Sequence, residues 1–275
     1  MGREGGRGGK NSDPKNLKKI LFPVQADTEE FIEAIKVFRP HAFVSMCDEV
    51  GVYASNSSKR AQKAVSRSSA WLSKINSGAS ATRADVIASI QGIADEQSRI
   101  QSVKSAVSEA KKENSRIAGY CFGGFGGGES PSRRSQLLLK CIETLEQEEE
   151  EEEEETCRRE NKPKGIDRPR MVCGQDSPLE ILQCVSMGFD LFDGPYPFLQ
   201  AEFGHALVFN LDPDLGKLDE SFPGIAMNMR DPCLSKDKRA IFPGCGCRTC
   251  RMHTRGYVHH LHNTQEMLAE VLLSM

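Results

Sequence analysis

"DVIASIQGIADEQSRIQSVKSAVSEAKKENSRIAGYCFGG", residues 85–124, sets a polar segment of helix length between two short apolar runs. Neither run, DVIASIQG nor IAGYCFGG, alternates apolar with polar residues, the pattern of strands buried on both faces. The segment between them, from about Asp95 to Asn114, reads as a helix. Strand, helix and buried strand in that order predict a parallel pair joined by a crossover helix.

The same unit recurs on both sides. Upstream, "TEEFIEAIKVFRP" places Phe31, Ile32, Ile35 and Phe38 at helical spacing, with Thr28 as the expected cap and Pro40 as the stop. The short apolar run "HAFVSMC" follows and ends at Asp48-Glu49; a long helix is then expected from about Ser57 to Ile75. Downstream come a helix over Ser132 to Leu145, the strand RMVCG, a helix starting at Pro178, and the strand FDLFDG. Alternation of this kind predicts an α/β chain with a parallel sheet, either a barrel or an open doubly wound sheet. Asp48, Gln91, Gly123, Gly124 and Asp193 all fall where strands end, which is where such folds place their sites.

Residues 1–16 are rich in Gly, Lys and Arg without periodicity and are expected to be a disordered lead-in. The segment 146–161 carries an unbroken acidic run, Glu148 to Glu155, expected to be a self-repelling, solvated insertion between helix and strand. At 275 residues with 38% hydrophobic content the chain can build a sizeable core, and its net charge of −3 gives no global basic field for nucleic acid. No apolar run approaches the roughly 18–20 residues of a membrane span, and the first residues lack the apolar core of a secretory signal, so a cytoplasmic protein without a membrane anchor is expected. Of the ten cysteines, Cys47, Cys121, Cys141, Cys173 and Cys184 sit singly in apolar segments and read as reduced core thiols.

Cys245, Cys247 and Cys250 are different. Their C-x-C-x-x-C spacing, with Pro243 and Gly244 to make the turn, lets three thiolates converge on one Zn²⁺ in a structural site, the alternative being reduced surface thiols. A tetrahedral ion needs a fourth donor, and His253, His259, His260 and His262 are near in sequence. From about Thr254 onward the apolar spacing reads as one amphipathic helix, whose face decides which histidine turns inward.

The block "CGCRTCRMHTRGYVHHLHNTQEMLAEVLLSM" resembles the zinc-binding end of the tRNA-guanine transglycosylase family. By that resemblance the fourth ligand is a downstream histidine whose position counts to just past Met275. The likeness continues upstream: "AFVSMCDEVGVYASNSSKRAQKAVSRSSAWL" is similar to the family's strand ending in Asp-Glu. "IAGYCFGGFGGGES" is similar to its glycine-rich loop, and "GFDLFDGPYPFLQAEFGHALVF" to its nucleophile segment, with Asp193 at the nucleophile position. The resemblance implies an irregular TIM (β/α)8-type barrel lacking its first strands, spanning 17–232, with a carboxyl-terminal zinc-binding subdomain over 233–275.

Active members of the family use an aspartate to attack the ribose of the anticodon wobble guanosine in tRNA and exchange guanine for a 7-deazaguanine base, while a second aspartate handles protons. The motif carrying that second aspartate has no counterpart here. The basic residues that follow the nucleophile in active members are also missing from "GPYPFLQAEFGHAL". The resemblance therefore implies a non-catalytic accessory chain that pairs with the catalytic subunit and meets tRNA through that complex, with one Zn²⁺. The alternative is an active transglycosylase using Asp193 as nucleophile. On the first reading Asp193 is a relic, and Asp48, Gln91, Gly123 and Gly124 are remnants of a substrate pocket; Asp48 can equally cap the next segment, and the two glycines can be no more than a permissive turn.

Overall fold

The computed structural model describes residues 27–50, 57–79, 82–125, 129–160, 168–174, 177–208 and 225–275, with side chains of 151–160 left aside. The lead-in expected over 1–16 lies outside the described residues. Five strands, β1 (Ala42–Val44), β2 (Asp85–Ile90), β3 (Ile117–Phe122), β4 (Arg170–Val172) and β5 (Leu191–Phe192), form one sheet in chain order, each parallel to the next. The sheet curls into a half-barrel. Each step is a crossover through a helix: α2 (Ser58–Ala79), α3 (Glu96–Ala110), α4 (Pro131–Glu160) and α5 (Pro178–Ser186). A helix α1 (Thr28–Phe38) precedes β1.

Helix starts follow the free N–H groups of the first turn. In α1 the cap is Asp27, one residue before the expected Thr28: its Oδ1 accepts from the N–H groups of Glu29 and Glu30, each at 2.9 Å, and Glu30 accepts back from the Asp27 N–H at 3.2 Å. Asp95 and Ser177 play the same part for α3 and α5. Outward-facing Val86, Ala88, Ile90, Tyr120, Phe122 and Val172 pack against Val103, Ala106, Val107, Leu137, Leu138 and Leu145 of the helices to make the main core. Phe122 meets Phe189 edge to face at 5.2 Å.

The acidic run, expected as a solvated insertion between helix and strand, is part of the helix itself. Helix α4 continues through it to Glu160. Cations from neighbouring elements offset its repulsion: Lys104 lies 3.2 Å from Glu148, Lys111 donates to the Glu148 carbonyl at 3.1 Å, and Arg170 reaches Glu146 at 3.1 Å and Glu149 at 3.6 Å. Glutamate's intrinsic helix propensity favours the same state, while like charges at i,i+3 and i,i+4 oppose it, so the neighbouring cations matter.

After β5 come α6 (Tyr196–Glu202), the antiparallel pair β6 (His205–Leu207) and β7 (Ala226–Asn228), a 3₁₀ turn Pro232–Lys236, and α7 (Arg248–Met252), α8 (Arg255–Asn263) and α9 (Leu268–Leu273). The single helix expected from Thr254 is broken at Thr264–Met267, where Gln265 takes φ 56°. A second core joins Ala206, Val208, Met227 and Met229 to Leu234, Ile241, Val258, Leu261 and Leu272. Buried Arg255 ties its loops together, donating to the carbonyls of Ala240 at 2.9 Å and Ile241 at 3.1 Å and pairing with Asp237 at 3.3 Å.

Candidate functional site

The inner, concave face of the sheet is lined with small polar and thiol side chains where the outer face is aliphatic. Strand alternation puts Ser89 and Gln91 on the same face as Cys121, because Ser89 is in register with Cys121. Phe122 pairs with Val172, so Cys121 and Cys173 share that face too, on a diagonal across β3 and β4. Cys47 enters from the tail of β1.

Gln91, just past β2, is 2% exposed and fully fixed: its N–H donates to Ser102 Oγ at 3.0 Å, and its Nε2 donates to Ser89 Oγ at 3.1 Å and to Cys47 Sγ at 3.4 Å. The two glycines after β3 leave room for its amide. A Cβ on Gly123 would lie 2.6 Å from Gln91 Nε2; one on Gly124, at φ 72°, would lie 2.9 Å from Gln91 Oε1. The Gly124 N–H donates to Glu49 Oε1 at 2.9 Å. Below them the guanidinium of Arg99, 1% exposed, donates to the carbonyls of Ile93 at 2.9 Å and Gly123 at 2.8 Å and lies 3.8 Å from the centre of the Phe125 ring. Burial without a directly bonded carboxylate pulls its pKa down to about 10.

Asp48 is already engaged. Arg60 clamps it with two bonds of 2.7 and 2.9 Å, Arg67 adds one of 2.8 Å, and its N–H donates to Ser68 Oγ at 2.9 Å. The Arg60 hydrogen bonds hold its carboxyl below the usual carboxylate range. Asp193, half-buried past β5, accepts the Gly174 N–H at 2.9 Å through Oδ1. The structure thus brings Gln91, Gly123 and Gly124 into one cluster, sets Asp193 beside Cys173, and leaves Asp48 locked to α2.

Glu49, Arg99 and Cys173 are site residues that the sequence reading passed over. Glu49 is the second residue of the acidic pair ending β1. Arg99 is a lone arginine on the otherwise apolar and small face of α3, with Ser102, Val103 and Ala106, and that mismatch was a usable signal. Cys121, Cys141 and Cys184 are buried as expected, whereas Cys47 and Cys173 are only partly buried; Cys47, Cys121 and Cys173 face the concave side because they fall on the inward parity of their strands or at strand ends.

In the second unit the sulfurs of Cys245, Cys247 and Cys250 lie within 4.8 Å of one another, and no histidine, aspartate or glutamate joins them within that distance among the described residues. Gly244, at φ 78°, turns the chain into the knuckle; the Cys247 N–H points to Cys245 Sγ at 3.5 Å and the Cys250 N–H to Cys247 Sγ at 3.4 Å. Burial opposes the Cys247 thiolate, but the Cys250 N–H and the neighbouring sulfurs bring its pKa down. Three converging sulfurs with N–H groups aimed at them suit a thiophilic cation such as Zn²⁺. The knuckle is anchored to the second core by Thr249, whose hydroxyl donates to the Leu272 carbonyl at 2.7 Å.

Two of the nearby histidines make other contacts. His259 has Nδ1 2.9 Å from the Met229 carbonyl and Nε2 2.8 Å from Asn263, and His253 stacks on Tyr257 with centroids 5.1 Å apart. His262, its pKa lowered by burial, leaves Nε2 without a hydrogen-bond partner among the described residues.

Fold and site together define a class: a parallel α/β half-barrel with a polar floor at the carboxyl ends of its strands, followed by a three-cysteine knuckle able to hold a metal. The chain belongs to the queuine tRNA-ribosyltransferase family, whose model matches residues 21–275. Among individual proteins it is similar to queuine tRNA-ribosyltransferase accessory subunit 2 of Drosophila pseudoobscura pseudoobscura, 28% identical over 272 residues, covering 97% of this chain and 58% of the relative. It is also similar to the accessory subunit 2 of Xenopus tropicalis, 29% identical over 282 residues, covering 91% of this chain and 62% of the relative. The chain thus spans about three-fifths of the length of these relatives. No helix among the described residues is long and apolar enough to cross a membrane.

Proposed function

We propose that this chain acts as, or within, a non-catalytic accessory subunit of queuine tRNA-ribosyltransferase, supporting exchange of guanine for queuine at the anticodon wobble position of cytoplasmic tRNA. The observation that carries this reading is the match, over 97% of the chain, to a relative named as the accessory subunit. Two features of the concave face support it. Both carboxylate oxygens of Asp48 are bonded to arginines, so base recognition through Asp48 has to displace Arg60 or Arg67. No lysine or arginine lies between Gly194 and Val208, so the segment after Asp193 offers no charge-assisted contact to phosphate.

On this reading the half-barrel is part of an irregular (β/α)8-type barrel, with 233–275 as its zinc subdomain and the partner a catalytic subunit of the same family. Cys245, Cys247 and Cys250 would hold the ion, which supplies a structural cross-link of the knuckle to the second core. Asp48, Gln91, Gly123 and Gly124 are the remnant of a base pocket, and Asp193 occupies the nucleophile position without acting as one.

The test is incorporation of labelled guanine into tRNA. The chain alone is expected to be inactive, and the catalytic subunit with the chain active, with Asp193→Asn in this chain leaving the joint rate unchanged. Exchange by the chain alone, abolished by Asp193→Asn, would overturn the reading in favour of an active transglycosylase.

A further inference from the structure

The sulfurs of Cys121 and Cys173 approach to 3.6 Å on the inner face of adjacent strands β3 and β4. Of the described cysteines outside the knuckle, this pair alone has its sulfurs in mutual contact, and the two differ in access: Cys121 is 2% exposed, while Cys173 is half-buried at the open end of β4. We propose that Cys121 and Cys173 form an oxidant-sensitive dithiol, which hydrogen peroxide converts to a cross-strand disulfide with Cys173 as the attacking sulfur and Cys121 as the resolving one.

The chemistry follows from their placement. Either sulfur can donate in this 3.6 Å contact; with the proton on buried Cys121 the hydrogen bond favours a thiolate at the more accessible Cys173, against burial and the nearby carboxylates of Asp193 and Glu49. The Cys173 thiolate attacks one peroxide oxygen; an S–O bond forms, the O–O bond breaks, and hydroxide leaves to become water. Cys121 then attacks the sulfenic sulfur; the S–S bond forms, the S–O bond breaks, and the Cys121 proton leaves with the second oxygen as water. Two thiols and one peroxide give one disulfide and two waters.

The sulfurs need to close from 3.6 Å to about 2.05 Å, a movement that rotation of the two side chains and a shift of one strand end can share. That shift falls at a strand end: Cys173 is past the last ladder residue of β4, and the next residue, Gly174, sits at φ 78°. The Gly174 N–H holds Asp193 at 2.9 Å, so closing the bond also moves the floor of the concave face. Cys141 and Cys184 make poor competitors, because burial pushes both thiols up to about 11.

The experiment is hydrogen peroxide titration of the zinc-loaded full chain, followed by iodoacetamide blocking and peptide mass spectrometry. The expected product links the tryptic peptides starting at Ile117 and Met171, lighter by two hydrogens and restored by dithiothreitol, with fragmentation placing the link on Cys173 and leaving Cys184 of the same peptide alkylated. In Cys121→Ser, which removes only the resolving sulfur, Cys173 is expected to stop as a sulfenic acid trapped by dimedone. The proposal is overturned if Cys121 and Cys173 both remain alkylated while other cysteines oxidise. It is equally overturned if Cys173 in the unmodified sequence accumulates as sulfinic acid without the cross-link. Neither result depends on the accessory-subunit reading.

Discussion

The space that Gly123 leaves for the Gln91 amide can be measured by filling it. In Gly123→Ala the new Cβ would stand 2.6 Å from Gln91 Nε2, and ordinary contact begins at 3.4 Å, so the amide has to retreat by the difference. Gln91 is 2% exposed and donates to Ser89 at 3.1 Å and Cys47 at 3.4 Å, so retreat stretches both bonds. Losing one neutral hydrogen bond costs about 1 kcal/mol and an off-rotamer side chain about 0.5–1.5 kcal/mol, giving a destabilisation of about 2 kcal/mol. Gly123 has no positive φ, so no backbone strain adds to this. Gln91→Ala vacates the space, and in that background the alanine at 123 is expected to cost about 1–2 kcal/mol less. Urea unfolding of the four proteins, at constant m, reads the coupling. Additivity within about 0.3–0.5 kcal/mol would refute the claim that the glycine exists to seat the amide.

Gly124→Ala is expected to lose about 1–2 kcal/mol to its left-handed φ of 72°, and Gln91→Ala should relieve only the steric part, leaving a residual penalty in the same urea series. Asp48 sets an acid limb of stability. Arg60 depresses its folded pKa below the unfolded value, so its contribution is complete above the usual carboxylate pKa of about 4 and is lost as pH falls through the folded value. The Tm deficit of Asp48→Asn is therefore expected to be constant from pH 6 to 8 and to shrink below about pH 4. A deficit that grows on acidification contradicts the ion-pair geometry. For the knuckle, zinc competition with a chromogenic chelator is expected to show at least about tenfold weaker binding for alanine at Cys245, Cys247 or Cys250, and metal release on acidification as the thiolates protonate. Unchanged stoichiometry in Cys247→Ala/Cys250→Ala would rule these sulfurs out as ligands.

The sequence disclosed the strand–helix repeat because its strands are short apolar runs and its helices carry cap residues at their starts. It also disclosed the convergence of Cys245, Cys247 and Cys250, since a tight turn makes that spacing local. What it hid was set by three-dimensional register. Nothing adjacent to Asp48 announces that Arg60 and Arg67, in the first and third turns of α2, close on it. Cys121 and Cys173 look like ordinary core thiols until β3 and β4 are aligned with Phe122 beside Val172. The helical state of the acidic run was hidden for a related reason, as its counterions come from α3 and β4, distant in sequence.

The most direct measurement of the functional account is mixing the purified chain, or its longer parent if the chain is part of one, with the catalytic subunit and following mass by size exclusion with light scattering. The account expects a stable complex with one copy of each, which raises guanine exchange above that of the catalytic subunit alone. Separate elution of the two proteins, with exchange unaffected by the chain, would contradict it.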